Sequence, residues 1–411
     1  MAKFTTLIYT FLFITCSFAQ LISIGEQINF DSRILQQNRE LLIYTPPSYN
    51  HNKTEAFPVL YLVDADYNFH YLTGLIELLS SVSANIPEMI VVGISGKGTN
   101  TYRKQSKPPF KTKDKGTANV TMEFINKEVL AFIDSHYKTN SYRILAGHSI
   151  GGLFTTYAML HANKEFDTFI AVSPSLWWED ELVKKNTLKY FKNNKPKINS
   201  NYYLSLADEK GMGVHGFVEM MQYNKPRSLN MKFKHFPEET HSSVGLPSYR
   251  WALQDLFTDY KPKGGSFKDA KAVEDYYTLV KEKYKTPFHI SAGFMRNTAY
   301  AHSKDKQKRL EIEQAFSQYF PNQTDEFRNI QIEGLIGAGK LKQAEKILNR
   351  ALESDPNNFE TLTNQSRLLQ KQKKSNPALK SINKAIEIAK EKNIRQWLMN
   401  ELVEQKEGLE L

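Results

Sequence analysis

The sequence is nearly devoid of cysteine, with Cys16 as the one instance among 411 residues. Disulfides, a thiolate nucleophile and cysteine-ligated metals are therefore not expected in a mature chain that begins after it. The sequence also lacks an HExxH pair and a glycine-rich phosphate loop, so we expect no metal and no cofactor. Beyond the amino terminus, no apolar run approaches the ~18 to 20 residues that span a bilayer.

The amino terminus has the pattern of a secretory signal peptide covering residues 1–19. Lys3 precedes an apolar run at residues 7–14, and small residues, Ser17 and Ala19, stand before Gln20. We therefore predict an exported protein, periplasmic or secreted. An alternative is lipoprotein processing that leaves a lipid anchor on Cys16.

The net charge of +10 arises from 54 basic and 44 acidic residues that are interspersed along the chain. Interspersed charges are typical of solvated surfaces, and no nucleic-acid-binding motif is present. We therefore expect no nucleic-acid partner.

Strand-like and helix-like segments alternate through residues 20–260. This alternation predicts an α/β domain with a mostly parallel central sheet covered on both faces, and the α/β-hydrolase fold is the most economical interpretation. The candidate strands are residues 39–44, 59–63, 89–94, 143–146, 168–172, 202–206 and 231–236.

The motif GHSIGG at residues 147–152 lies between a candidate strand and a helix-like stretch. This context is typical of a nucleophile elbow, a sharp turn that presents a serine hydroxyl, here Ser149. Small flanking residues allow the strand and the helix to cross closely.

A serine hydroxyl needs a histidine to accept its proton and a carboxylate to orient that histidine. In this fold they follow in the order serine, acid, histidine, at the carboxyl ends of later strands. Asp208 and Glu209 are the candidate acids, and His241 is the candidate base. The histidines with weaker placement are His148, His161 and His215.

The developing oxyanion needs two N–H donors. The backbone N–H of Ile150, directly after the nucleophile, is the first candidate. The second is the backbone N–H of Asp66, in the loop that follows the strand at residues 59–63.

Five segments in order resemble the putative esterase, or esterase D, family, which includes siderophore esterases, feruloyl esterases and mycolyl transferases. The segments are FPVLYLVDAD at 57–66, VVGIS at 91–95, GHSIGGLF at 147–154, SPSLWW at 173–178 and PEETHSSV at 237–244. The resemblance implies Ser149 as nucleophile, His241 as base and Glu209, rather than Asp208, as acid. It also implies a glycine where Ala65 stands, which leaves the conformation of that turn open.

The resemblance further suggests that Trp177 and Trp178 form a substrate-binding wall and that Arg103 faces the site from a loop. The alternatives are a core role for at least one tryptophan and a surface ion pair for Arg103. Residues 173–209 contain no long insertion, so we do not expect a large helical lid. An open cleft favours a small-molecule or polysaccharide-linked ester as substrate.

A second unit follows residue 260. Residues 261–326 are expected to be a linker, KPKGGS, and a helical connector. Residues 327–411 are expected to form an all-α domain resembling tetratricopeptide repeats, because small and apolar residues recur ~34 positions apart. Such a domain would bind a protein partner, mediate self-association or serve a structural role.

Together these patterns predict an exported serine esterase that acts through an acyl-enzyme. The alternatives are an acyltransferase that uses the same acyl-enzyme and a non-catalytic binding or scaffold protein that retains the hydrolase fold.

Overall fold

The structure is a computed structural model that describes residues 23–50, 56–96, 98–110, 116–162, 164–285 and 288–410. The predicted signal peptide, with Cys16, lies outside the described residues. Within those ranges, no helix combines the length and apolarity needed to cross a bilayer.

Among the described residues up to position 260, one mixed sheet of eight strands forms the centre of the domain, and it confirms the predicted α/β fold class. The strand order is β1-β2-β4-β3-β5-β6-β7-β8, with β1, β2 and β4 paired antiparallel and the remaining pairs parallel. The strands are β1 Glu26–Ser32, β2 Gln37–Tyr44, β3 Phe57–Leu62, β4 Ile90–Ile94, β5 Thr139–His148, β6 Thr168–Val172, β7 Asn201–Ala207 and β8 Asn230–Phe236.

Burial explains which strands the sequence predicts. Every residue of β3, β4 and β6 is buried, as expected for parallel strands covered on both faces by helices. By contrast, β1 was not predicted, because its largely polar residues are mostly exposed at the edge of the sheet. Backbone pairing with β2 defines it as a strand.

Helices cover both faces of this sheet. On one face, α1 and α8 pack against the sheet, and α3 to α7 lie on the other. The helices are α1 Ala65–Glu77, α2 Thr99–Ser106, α3 Ala118–Phe124, α4 Leu130–His136, α5 Ile150–His161, α6 Trp178–Asn194, α7 Val214–Asn224 and α8 Gly245–Leu256. Short π-helical turns follow α1 and join α3 to α4.

The described residues after position 260 form mainly helices. Its helices are α9 Ala270–Tyr284, α10 Ala292–Ala301, α11 Lys306–Tyr319, α12 Thr324–Gly337, α13 Leu341–Ser354, α14 Phe359–Lys371, α15 Ser375–Glu391 and α16 Gln396–Glu410. One 3₁₀ turn, Pro321–Gln323, precedes α12.

The core of the α/β domain continues into these helices without a break. The rings of Tyr142, Phe257, Tyr284 and Phe288 pack together with centroids 5.1 to 6.1 Å apart. The same buried cluster extends from Tyr44 to Ile330. Of the segment expected to be a linker and connector, the linker is thus a short turn, whereas α9 to α11 are integral to the core.

The 34-residue spacing relates α13 to α15. The matched residues Ala344 and Ala378 are each fully buried, and so are Ala351 and Ala385. Their helices pack against α14 and α16 in two smaller clusters. Assignment of these helices to the tetratricopeptide family remains a prediction.

The helical unit, α9 to α16 with their connecting segments, also forms ion pairs with the α/β domain at the end of the sheet opposite the elbow. Lys285 pairs with Asp167, directly before β6, and Arg395 Nη2 lies 2.7 Å from Glu77 Oε1 at the end of α1. Both contacts lie at the amino ends of the parallel strands. The carboxyl ends, where Ser149 lies, are left uncovered by these contacts.

We predict that Tyr284→Ala lowers the free energy of unfolding by about 3 to 5 kcal/mol, because it removes a buried ring from the shared core. Urea unfolding measures this. Leu279→Ala is the matched control on the same helix, since Leu279 is 41% exposed and its truncation should cost little. Equal losses in both variants would contradict a shared core.

Candidate active site

Ser149 lies in a strained turn between β5 and α5. Its backbone has φ 58° and ψ −115°, a region that costs a non-glycine residue about 1 to 3 kcal/mol. Position 147 leaves no room for a side chain, because a Cβ on Gly147 would lie 2.6 Å from the backbone of Gly151. The turn projects the serine side chain away from strand and helix.

Backbone hydrogen bonds hold this turn against β6. The N–H of Ser149 donates to the carbonyl of Val172 at 2.9 Å, and its carbonyl accepts from the N–H of Ser175 at 3.0 Å. Between them, Ser173 has a positive φ of 36°, and its Oγ accepts from the N–H of Ala207 at 3.0 Å. The ends of β5, β6 and β7 are therefore joined.

The structure brings three of the predicted site residues together at the carboxyl ends of the strands. His241 Nε2 lies 2.9 Å from Ser149 Oγ, and His241 Nδ1 lies 2.6 Å from Glu209 Oε1. The Glu209 side chain is only 13% exposed. The arrangement can move a proton from the hydroxyl to an imidazole that a carboxylate orients.

Asp208 takes a different position from Glu209. Its side chain is exposed, and its backbone N–H donates to the carbonyl of Glu239 at 2.9 Å. This bond ties the acid loop to the turn that carries His241. Of the two candidate acids, Glu209 is the one in contact with His241.

The other candidate bases lie apart from the serine hydroxyl. His161 ends α5 and contacts the ring of Tyr157 at 4.3 Å. His215 is on α7, where its ring lies 5.6 Å from that of His235. His148 directly precedes Ser149 and is half-buried, and its ring centroid lies 4.6 Å from that of His241.

The two proposed oxyanion donors both lie in the first turns of helices. Ile150 begins α5 and Asp66 is the second residue of α1. N–H groups in a first turn have no partner within the helix and carry partial positive charge. The Asp66 carboxylate is occupied elsewhere, since it accepts from Ser95 Oγ and Gly96 N at 2.7 Å each.

Ala65 fits the turn where the resemblance implies glycine. It is the first residue of α1 and is absent from the residues with positive φ. Its side chain is buried. The turn therefore does not require glycine here.

The tryptophan pair is divided between surface and core. Trp177 is 49% exposed, whereas Trp178 is 5% exposed and packs edge-on against Phe110. The indole of Trp178 belongs to a core cluster, which fits the alternative of a core role for one tryptophan, and a substrate-binding role for the pair remains a prediction. Paired tryptophans at adjacent positions point in different directions, and the sequence alone did not distinguish them.

Arg103 lies on α2 rather than in a loop, and its side chain is exposed. Within the described part of the chain it forms no ion pair, so the alternative of a surface ion pair finds no partner there.

Two exposed side chains at this edge were not singled out from the sequence. Tyr67, in the first turn of α1, is 81% exposed, and Leu246, in the first turn of α8, is 48% exposed. Single exposed apolar residues carry no sequence signal. Each lies in the first turn of the helix that follows a strand's carboxyl end.

A buried carboxyl supports the elbow from below. Asp64 is 5% exposed, and its Oδ2 accepts the backbone N–H of His148 at 2.5 Å. Burial raises the pKa of Asp64 to about 7. Among the described residues, no group of histidines and carboxylates is arranged to hold a metal ion.

Comparisons with known proteins agree with the fold. The family described as "Putative esterase" matches residues 32–210. Ferri-bacillibactin esterase BesA of Bacillus subtilis is 26% identical over 183 residues, which cover 39% of this chain and 63% of that esterase. The match thus spans less than two thirds of that relative's length.

Two solved structures are similar in fold. An IroE-like serine hydrolase from Shewanella oneidensis has a TM-score of 0.60 at 24% identity, over 72% of this chain and 99% of that one. An uncharacterised protein from Capnocytophaga ochracea has a TM-score of 0.55 at 15% identity, over 94% of this chain and 99% of that one. The second similarity extends through the helical unit.

We predict that Asp64→Asn flattens the dependence of stability on pH. The raised pKa means that folded Asp64 retains a proton which the unfolded chain releases near pH 4, so its contribution is complete at low pH and is lost as pH rises through about 7. Thermal unfolding between pH 4 and 8.5 measures this. Asp208→Asn, at an exposed carboxylate, is the control, and identical pH profiles for Asp64→Asn and wild type would contradict the prediction.

Proposed function

We propose that the chain hydrolyses carboxylic esters through an acyl-enzyme formed on Ser149, and the match of residues 32–210 to the esterase family model supports this proposal. The observation that carries the proposal is the relay of 2.9 Å from Ser149 Oγ to His241 Nε2 and 2.6 Å from His241 Nδ1 to Glu209 Oε1. A hydroxyl, an imidazole and a carboxylate in this order form a nucleophile, its base and the group that orients the base.

In the proposed acylation step, Ser149 Oγ attacks the ester carbonyl while His241 Nε2 takes its proton. The imidazolium then gives that proton to the departing alcohol as the carbon–oxygen bond breaks. Water attacks the acyl-enzyme by the same route, and the products are a carboxylic acid and free Ser149. Throughout, Glu209 stabilises the charged imidazole.

We assign the oxyanion to the backbone N–H groups of Ile150 and Asp66. Both belong to helix first turns, whose partial charge favours a developing alkoxide. Asp66→Pro removes the second N–H, whereas Asp66→Ala keeps it. The proline variant should lose about 100- to 1000-fold in kcat relative to the alanine variant, and equal kcat values would exclude Asp66 as a donor.

We infer that the substrate is a small-molecule ester bound in an open cleft. Trp177, Tyr67 and Leu246 are exposed large hydrophobic side chains that offer an apolar and aromatic surface, while the exposed side chain of Arg103 suits an anionic group. One relative is described as a ferri-bacillibactin esterase. Siderophore esters are therefore the substrates to be tested first, alongside hydroxycinnamoyl and acetyl esters of sugars.

We also propose that the chain is exported, on the basis of the signal-peptide pattern at residues 1–19. Intact mass of the protein recovered from its native host tests this. Cleavage before Gln20 supports export, and an uncleaved Met1 contradicts it.

The kinetic test uses a short p-nitrophenyl ester. We predict that Ser149→Ala reduces activity to background and that Glu209→Gln lowers kcat by about 100- to 10,000-fold, since the imidazolium loses its carboxylate partner. Asp208→Asn is the matched control at the neighbouring position and should retain most activity. A folded Ser149→Ala variant with undiminished turnover would refute the proposal, and equal effects at positions 208 and 209 would refute the choice of acid.

A further inference from the structure

His148 is a second imidazole beside the proposed base. It precedes Ser149 in the elbow, and its ring lies against that of His241, with a centroid distance of 4.6 Å and an angle of 37° between the ring planes. A hydrogen bond also joins its side chain to the backbone carbonyl of His241. The proposed reaction gives this residue no chemical step.

The environment of His148 keeps its ring neutral. Burial, followed by the proximity of His241, lowers the pKa of His148 to about 4. Its Nε2 is buried and has no hydrogen-bond partner among the described residues. A neutral ring neither competes for the serine proton nor repels the imidazolium that forms on His241.

The backbone of His148 is fixed independently of its ring. Its N–H donates to Asp64 Oδ2, and its carbonyl end continues directly into the strained Ser149. The ring therefore projects from the most constrained part of the site. The turn that carries His241 is held mainly by short-range bonds, such as that from Thr240 N to Ser243 Oγ at 2.9 Å.

We propose that His148 is a positioning residue that holds the His241 imidazole in register with Ser149. Its ring packs against the His241 ring, and Glu209 contacts His241 Nδ1, the ring nitrogen that does not face Ser149. Nucleophile and base are thus aligned from the same turn. This inference rests on the proposed function, because positioning of a base matters only if Ser149 reacts.

The ring contact and the hydrogen bond act on different parts of His241. The tilted ring contact restricts the His241 ring itself, whereas the hydrogen bond reaches only its backbone. His148→Phe preserves the ring face and removes the donor. His148→Asn keeps a polar donor and removes the ring, and His148→Leu removes both.

The charged and titratable groups around the pair are few and belong to different elements. Glu209 faces His241 from the loop after β7, and Asp64 faces the backbone of His148 from the end of β3. Tyr71, Tyr102 and Tyr249 interact with Asp64 from α1, α2 and α8. None of these groups changes in the variants at position 148.

The test measures kcat and KM for p-nitrophenyl butyrate at pH 7.5, together with the rate of Ser149 labelling by a fluorophosphonate. We expect His148→Leu to lower kcat and the labelling rate by about 10- to 100-fold, since small displacements of a reacting group cost that much. KM should change little. His148→Asn should show a similar loss, whereas His148→Phe should retain more activity than either.

His161→Phe is the matched control, because it makes the same replacement at the other end of α5, on a ring that also contacts an aromatic neighbour. It should leave kcat unchanged. Melting temperatures identify variants that fold poorly, and if His148→Leu does not fold, the comparison of His148→Phe with His148→Asn decides the outcome.

Failure of this inference is distinguishable from failure of the proposed function. If wild-type protein neither hydrolyses the ester nor reacts with the fluorophosphonate, the proposed function fails. If wild type reacts and the folded His148 variants match His161→Phe in kcat, the positioning role alone is overturned. A loss expressed in KM with kcat intact would likewise overturn it.

Discussion

The positive φ of Ser149 is the constraint on which the rest of the site depends. A non-glycine residue keeps this backbone conformation only when its surroundings determine it. Here the determinants are backbone bonds to Val172 and Ser175 after β6 and the carboxylate of Asp64 below His148. The same bonds position the loop of Glu209 through Ser173. The backbone geometry of Ser149 thus depends on packing at the carboxyl ends of the strands.

The ion pairs of the helical unit and the Ser149 site lie at opposite ends of the parallel strands. The helical unit packs into the core of the α/β domain and contacts it near Asp167 and Glu77, at the amino ends of the parallel strands. The serine, the base and the exposed apolar side chains lie at the carboxyl ends. In these contacts the helical unit therefore packs away from the carboxyl ends of the parallel strands.

Much of this arrangement was predictable from the sequence, because it follows from the periodicity of apolar residues and from the order of motifs along the chain. Continuous apolar runs predict β3, β4 and β6, and the order of Ser149, Glu209 and His241 follows from the fold. Other features depend on three-dimensional proximity. The sequence did not reveal the edge strand β1, the buried position of Trp178 or the contact of His148 with His241, since these depend on pairing and side-chain direction rather than composition. A turn rich in glycine at residues 261–266 resembled a domain boundary, although the packing continues through it.

The proposed activation of Ser149 by His241 can be tested by treating the full-length protein with a fluorophosphonate at neutral pH and mapping its peptides by mass spectrometry. We predict one phosphonyl adduct per chain, located on Ser149, and its loss in a folded His241→Gln variant. An adduct on another residue, or labelling of Ser149 that is unaffected by His241→Gln, would contradict it.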